Sequence, residues 1–227
     1  MEMMPYQPTA ALHAASPRSE TATAESLLPH WGPPSADWRA GLPALGGEEF
    51  TLRELELSDA PTLFAELTTE EVARFISPPP TSVEGFERFI RWAHTRRAQG
   101  RYVCFGIVPA GHTRAVGLFQ LHLDAADTDT AEWGFVLGRA YWGTGLFVAG
   151  ARRVVDFAFA HLGLARLVAH AAVPNGRGNG ALRKLGAVCE AVLSQSFERH
   201  GERLDQALWT LRPDLWWAHA GLRAVVH

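Results

Sequence analysis

The sequence predicts an α+β (α/β-like) fold: a mixed β-sheet with helices packed on its faces. A strand-type run at 131–138 is followed by a glycine turn and a long apolar helix at 145–162. A buried-type strand at 166–173 comes next, and a strand, helix and strand of this length form a right-handed parallel crossover. Upstream, two strand-type segments joined near Gly111 predict an antiparallel hairpin. Parallel and antiparallel pairs are therefore both expected in the sheet.

The amino-terminal half of the domain combines alternating residues with helix-start signals. Residues 50–55 alternate between apolar and polar side chains, which predicts a half-buried strand. Asp59 followed by Pro61 is typical of a capped helix start. A helix further along begins near Thr81, where Glu84 completes a capping box. Thr68 to Glu71 fit a second capping box, so a short helix is expected to run from there to about Ile76. The predicted elements of this half are the strand 50–55, the helical region 59–76, the helix 81–99, and the hairpin strands 101–108 and 115–123.

The carboxyl-terminal half is more apolar. The helix 145–162 is apolar nearly all round, which indicates that it is covered on most sides. Asn175 is a suitable cap for a helix over 175–185. The strands 188–198 and 203–211 complete the predicted domain.

Length and composition predict one domain with two tails. The chain has 227 residues, of which 47% are hydrophobic and 20% charged, enough for one sizeable core. Residues 1–46 carry seven prolines and many small residues, which predicts an extension without a core of its own. The domain is expected over 47–212. The apolar tail 213–227 either seals the core or contacts a second subunit, and a homodimer is one of the expected states.

Several classes of protein are not expected. The net charge is −3 and the basic residues are scattered, which argues against a nucleic-acid partner. No run of eighteen apolar residues or export signal is present, so neither a membrane span nor secretion is expected. Cys104 and Cys189 are isolated, which predicts two buried thiols in a reducing compartment. A cytoplasmic location is the resulting expectation.

The turn Gly143-Thr144-Gly145 before the apolar helix is the main binding signal. Glycines let the backbone approach a ligand closely, and a helix amino terminus favours negative charge. A phosphate group is therefore expected above Gly143 and Gly145. The turn lacks the lysine of a Walker loop, and Val148 stands where a dinucleotide fingerprint has its third glycine. The ten dispersed histidines predict no metal site, and no Gly-x-Ser-x-Gly elbow of a hydrolase is present.

Two segments together resemble the GNAT acetyltransferase superfamily. They are Ala131-Glu-Trp-Gly-Phe-Val-Leu-Gly-Arg-Ala-Tyr-Trp-Gly-Thr-Gly-Leu146 and Val173-Pro-Asn-Gly-Arg-Gly-Asn-Gly-Ala-Leu-Arg-Lys-Leu-Gly186. Trp142 before Gly143, and Asn175 ten residues before Leu185, are similar to the branch of ribosomal-protein amino-terminal (Rim-type) acetyltransferases. The resemblance implies a mostly antiparallel sheet of six to seven strands. It also implies acetyl-CoA as cosubstrate, no metal, and direct attack of an amine in a ternary complex.

The resemblance also implies which residues bind acetyl-CoA. The backbone of the glycine turn corresponds to the pyrophosphate loop, although Ala140 stands where the family often has Gln or Arg. The end of the preceding strand corresponds to the segment that pairs with the pantetheine amides, and Asn175 to a residue that reaches the same arm. The implied binding residues are Phe135, Val136, Leu137, Trp142, Gly143, Thr144, Gly145, Leu146 and Asn175.

The residues that transfer protons are predicted less completely than the binding residues. Glu132, a carboxylate inside an apolar strand, is the first candidate for the base that deprotonates the amine. His122 is the second, because an imidazole titrates near neutral pH. The general acid is missing: Gly178 stands where the branch often has Ser, and no Tyr follows Tyr141.

The leading hypothesis is an N-acetyltransferase that modifies a primary amine, such as a protein amino terminus. A small-molecule or antibiotic amine is an alternative acceptor. Two other classes stay open: a non-catalytic acyl-CoA-binding module, and an interaction protein that uses its Trp-containing tails.

Overall fold

The computed structural model describes residues 37–124, 127–199 and 201–224. Eight of the strands in these residues form one sheet in the order β1-β2-β3-β4-β5-β6-β8-β7. The strands are β1 (Leu45–Gly46), β2 (Phe50–Glu54), β3 (Tyr102–Pro109), β4 (Gly117–Leu123), β5 (Thr130–Leu137), β6 (Arg166–Ala172), β7 (Val188–Arg199) and β8 (Glu202–Leu211). The helices are α1 (Ala60–Leu67), α2 (Glu70–Ala73), α3 (Val83–Ala98), α4 (Leu146–Ala160), α5 (Gly176–Leu185) and α6 (Pro213–Ala224).

The predicted mixed, mostly antiparallel sheet is confirmed. Only β5 and β6 pair in parallel, and the other neighbours in the sheet pair antiparallel. The sheet has one strand more than the six to seven expected. The additional strand is β1, which lies inside the segment predicted as an irregular extension. Its Leu45 pairs with Leu52 of β2. A two-residue edge strand has no periodicity of its own, so its pairing depends on the neighbouring β2.

Helices cover both faces of the sheet, as predicted. On one face, α1 and α3 bury Leu63, Phe86 and Ile90 against the strands. On the other face, α4 buries Val154 and Phe157 in a core that includes Trp133, Leu167 and Trp209. The helix predicted to be apolar on most sides therefore lies at the centre of the larger core.

The first helical region differs from its prediction. Residues 59–76 contain two helices, α1 and α2, as the second capping box predicts, but α2 ends at Ala73 and not near Ile76. Asp59 makes no side-chain cap at the start of α1, because its carboxylate bonds to Arg53 and to two backbone N–H groups instead. The cap of α3 is Ser82, whose hydroxyl accepts a hydrogen bond from Gly85 N, one residue after the predicted Thr81.

Parts of both predicted tails contact the domain. Trp38 and Leu42 are partly buried against the α4 core. In α6, Trp216 is only 7% exposed, and its indole Nε1 donates to Asp156 Oδ1 at 2.7 Å. Residues 1–36 and 225–227 lie outside the described residues. The division into 1–46, 47–212 and 213–227 stays a prediction.

The two cysteines differ in exposure. Cys104 is buried in β3, as predicted, whereas Cys189 is exposed. The expectation of a buried thiol at Cys189 is therefore wrong, because β7 is an edge strand of the sheet formed by the described residues. Within the described part of the chain, no helix is long and apolar enough to cross a bilayer. The same residues contain no group of His, Cys, Asp or Glu side chains suited to a metal ion.

Candidate active site

The sheet opens between its two parallel strands. β5 and β6 pair only over Thr130–Glu132 and Arg166–Val168. Beyond Glu132, β5 continues beside β4 to Leu137, while β6 continues beside β8 to Ala172. The edge of β5 at 134–137 therefore faces a gap, where an extended ligand with amide groups can pair as an added strand does.

The glycine turn lies directly after this edge. Gly143 and Gly145 have φ values of 78° and 89°, and Gly145 is the amino-terminal cap residue of α4. A Cβ on either glycine would meet nothing within 4 Å, so the left-handed backbone and not crowding requires glycine. Thr144 Oγ1 donates to Tyr141 O at 2.8 Å and accepts from Leu146 N at 3.3 Å. The turn thus presents its backbone at the positive end of a 15-residue helix.

The turn supplies a first testable prediction. An Ala in place of Gly143 or Gly145 is destabilised by about 1–2 kcal/mol in the left-handed region. In the unbound protein the exposed turn relieves this strain by changing its backbone conformation, which rotates its N–H groups away from the ligand position. Binding must then restore the original turn, so we expect each variant to bind CoA about 5- to 30-fold more weakly by calorimetry. Gly163→Ala is the matched control, since Gly163 has φ 69° in open space beyond the other end of α4. Equal CoA affinity in all three variants would exclude the turn from the binding site.

Trp142 connects the turn to both neighbouring elements. Its indole Nε1 donates to Leu137 O at 2.8 Å, at the end of β5. The guanidinium carbon of Arg177, in the first turn of α5, lies 4.1 Å from the centre of the ring. Trp142 therefore fixes the turn relative to both sides of the gap. The ring of Phe135, another predicted binding residue, packs 4.5 Å from the ring of Phe147 in α4.

Asn175 is the cap of α5, as its position predicts. Its Oδ1 accepts from Gly178 N at 2.9 Å. A Cβ at Gly178 would lie 2.5 Å from Asn175 Nδ2. A Ser at this position would therefore require the amide of Asn175 to shift.

Glu132 lies at the point where β5 and β6 separate. Its Oε1 is 2.6 Å from Nδ1 of His170 on β6. The two side chains are only 14% and 13% exposed, so water screens their interaction weakly. Sequence reasoning missed His170. The hydrogen bond between His170 and Glu132 depends on the register of two strands that are more than thirty residues apart in the chain. No local sequence pattern encodes that register.

His122 occupies the next strand on the other side of Glu132. The two residues are directly opposite in the β4–β5 register. The ring of His122 packs edge-on against Tyr102, with 4.6 Å between ring centres. Burial, reinforced by the charge of Arg96, lowers the pKa of His122 to about 4. The assignment of His122 as second base stays a prediction, and this low pKa makes its imidazole a weak proton acceptor at neutral pH.

Comparison with known proteins identifies the family and the fold. The model for the Acetyltransferase (GNAT) domain matches residues 49–188. The N-acetyltransferase p20 of Bacillus licheniformis is 26% identical over 165 residues, which are 72% of this chain and 93% of that protein. The ribosomal-protein-S5-alanine acetyltransferase of Vibrio fischeri shares the fold with a TM-score of 0.68 at 19% identity, over 76% of this chain and 98% of that one. The microcin C7 self-immunity acetyltransferase MccE, solved with acetyl-CoA and AMP, has a TM-score of 0.63 at 19% identity, over 73% and 93% of the chains.

The fold and the family match define an acetyl-CoA-dependent N-acetyltransferase. The chain belongs to the GNAT acetyltransferase family. Two features of the structure suit the cosubstrate: the exposed glycine turn at the amino terminus of α4 suits a pyrophosphate, and the open edge of β5 suits an arm that contains amides.

Proposed function

We propose that this chain transfers the acetyl group of acetyl-CoA to the free amino group of a polypeptide amino terminus. The observation that carries the proposal is the position of Glu132. It is the last paired residue before β5 and β6 separate, and its carboxylate is hydrogen-bonded within a largely buried site. A carboxylate at this point can accept a proton from an ammonium group that enters the gap.

The predicted binding residues are part of the same proposal. The turn at Gly143, Thr144 and Gly145, with Leu146 and Trp142, would hold the pyrophosphate. The backbone of Phe135, Val136 and Leu137 would pair with the pantetheine arm, and Asn175 closes the other side of the gap. Acetyl-CoA supplies an acetyl group already activated as a thioester, so the chain needs to position it and remove a proton from the amine.

The acceptor class is supported by the fold neighbours. The neighbour from Vibrio fischeri is named for an alanine of a ribosomal protein, which supports a polypeptide acceptor here. The residues of the predicted Rim-type branch, Trp142 and Asn175, both border the gap. A small-molecule amine is the second candidate, since MccE, a self-immunity protein against microcin C7, has the same fold.

The test is an acceptor panel. Short peptides with free amino termini, the same peptides with blocked amino termini, and small amines are incubated with acetyl-CoA. Release of CoA thiol gives the rate, and mass spectrometry locates the acetyl group. We expect turnover with free amino termini and none with the blocked peptides.

Other outcomes identify the alternatives. Turnover confined to small amines would replace the polypeptide by a small-molecule acceptor. Binding of CoA by calorimetry without turnover on any amine would favour a non-catalytic acyl-CoA-binding module, the class suggested by the missing Ser at Gly178.

A further inference from the structure

We propose that His170 is a catalytic residue that receives the proton of the acceptor ammonium and returns a proton to the sulfur of CoA. Glu132 then acts as the positioning residue that holds the imidazole. This inference rests on the proposed function and deepens its proton-transfer step. It assigns the general acid that sequence reasoning could not find.

The hydrogen bond between Glu132 and His170 determines which nitrogen of the imidazole carries the proton. Glu132 Oε1 lies 2.6 Å from His170 Nδ1. An ionised carboxylate can only accept, so in the neutral imidazole Nδ1 carries the proton and Nε2 has the lone pair. The carboxylate thus selects the tautomer whose second nitrogen can take a proton from another molecule, as in hydrolases that pair a carboxylate with a histidine.

His170 also lies where a ligand in the gap can reach it. His170 lies two residues beyond Val168, the last β6 residue paired with β5, so it borders the gap. Residues 166, 168 and 170 of β6 share a face, and each is less buried than its neighbours at 167, 169 and 171. Glu132 lies on the corresponding, less buried face of β5. A ligand in the gap can therefore reach the imidazole from the side that the helix α4 does not cover.

The reaction also needs a proton donor. The leaving thiolate must be protonated, but Gly178 has no hydroxyl and no tyrosine follows Tyr141. Cys104 is no substitute, because burial raises the pKa of its thiol and the side chain is enclosed in β3. An imidazolium formed by the first proton transfer is a suitable acid for the second.

The step balances with one histidine. His170 Nε2 takes one proton from the ammonium, and the free amine forms a C–N bond to the thioester carbonyl carbon. The C–S bond then breaks, and the sulfur takes the electron pair and the proton from His170. The second proton of the attacking nitrogen leaves to solvent. The products are an N-acetyl amide, CoA thiol and one proton, and His170 returns to its starting state.

The first test needs no turnover. Nitrogen NMR of histidine-labelled protein at neutral pH reports which ring nitrogen carries the proton, and His170→Asn identifies the signal. We expect the Nδ1–H tautomer in the wild type and a change toward Nε2–H in Glu132→Ala. A wild-type His170 that carries its proton on Nε2 would overturn the proposal, whether or not an acceptor has been found.

The second test is kinetic, with an amine that the acceptor panel identifies. His170→Ala is expected to lower kcat by about 10²- to 10⁴-fold, the usual range for general acid–base catalysis. KM for acetyl-CoA should change little, and added imidazole should restore part of the rate. His161→Asn is the control, because His161 is exposed at the far end of α4, stacked on Phe157.

The outcomes separate the two proposals. Rescue by imidazole supports proton transfer at His170, since a purely structural loss would not respond to it. Wild-type rates in His170→Ala would overturn the role of His170 and leave the acetyltransferase proposal intact. No turnover by the wild type on any amine would overturn the proposed function, while the NMR result would still decide the state of His170.

Discussion

We expect Glu132→Gln to lower kcat for amine acetylation by about 10²- to 10⁴-fold, the contribution typical of a positioned acid–base group. Gln preserves the shape of the side chain and can still accept a hydrogen bond from His170. It cannot hold the charge that stabilises an imidazolium, and it cannot take a proton itself. Proton transfer to the side chain at position 132 and proton transfer to His170 therefore both become unfavourable, while CoA binding should be preserved.

The measurement combines steady-state kinetics with calorimetry of CoA binding. Glu87→Gln is the matched control, because Glu87 is a partly exposed carboxylate on α3 whose partner is Arg91. We expect the control to have wild-type rates and Glu132→Gln to have a reduced kcat with unchanged CoA affinity. Wild-type rates in Glu132→Gln would exclude Glu132 both as the base and as the group that positions His170. Loss of CoA binding would instead give Glu132 a role in assembling the site.

Local signals account for most of the fold that the sequence predicts. The strand β5, the glycine turn and α4 each have their own pattern, and the short crossover to β6 fixes their handedness. The start of α1 is less predictable. Asp59 bears the residue type of a helix cap, but a guanidinium from β2 and the N–H of Ala115 compete for its carboxylate. Such competition depends on contacts that sequence patterns do not show.

The same distinction applies to the site. Gly143 and Gly145 are predictable because their backbone conformation is a local requirement. Glu132 is predictable because a carboxylate is unusual in an apolar strand. His170 belongs to a strand that reads as ordinary core, and only the parallel register between β5 and β6 brings it to Glu132. Glu132 could thus be predicted as a candidate residue, but its pairing with His170 could not.

Replacement of Asp59 is expected to have a large effect on the free energy of unfolding. This carboxylate is fully buried, and Arg53 binds both of its oxygens, at 2.8 and 2.9 Å. The N–H groups of Glu56 and Ala115 donate to the same oxygens at 2.8 and 3.0 Å. One side chain therefore joins β2, the turn before α1 and the segment that leads into β4.

We expect Asp59→Ala to lower the free energy of unfolding by about 3–5 kcal/mol, because removal of one partner leaves buried donors and a charge without an acceptor. Arg53 is 21% exposed and can reach water in part, which favours the lower end of this range. Urea unfolding measures the change. Asp214→Ala is the matched control, since Arg212 also binds both oxygens of Asp214, at 3.1 and 2.6 Å, but the two side chains are 54% and 60% exposed. The control should cost less than about 1 kcal/mol, and an equal loss in both variants would contradict the role of burial.

The stabilisation by Asp59 should also depend on pH. Burial by itself raises the pKa of Asp59, but the hydrogen bonds from Arg53, Glu56 and Ala115 and the guanidinium charge outweigh it, so the pKa lies below its ordinary value. A carboxyl whose pKa is lowered by folding stabilises the protein above its unfolded pKa of about 3.9, and this contribution is lost as the pH falls through the folded value. The difference in unfolding free energy between wild type and Asp59→Ala should therefore be constant from neutral pH to about pH 5, and it should shrink below about pH 4. A difference that grows on acidification would mean that Asp59 is protonated in the folded protein, which would contradict an ionised carboxylate paired with Arg53.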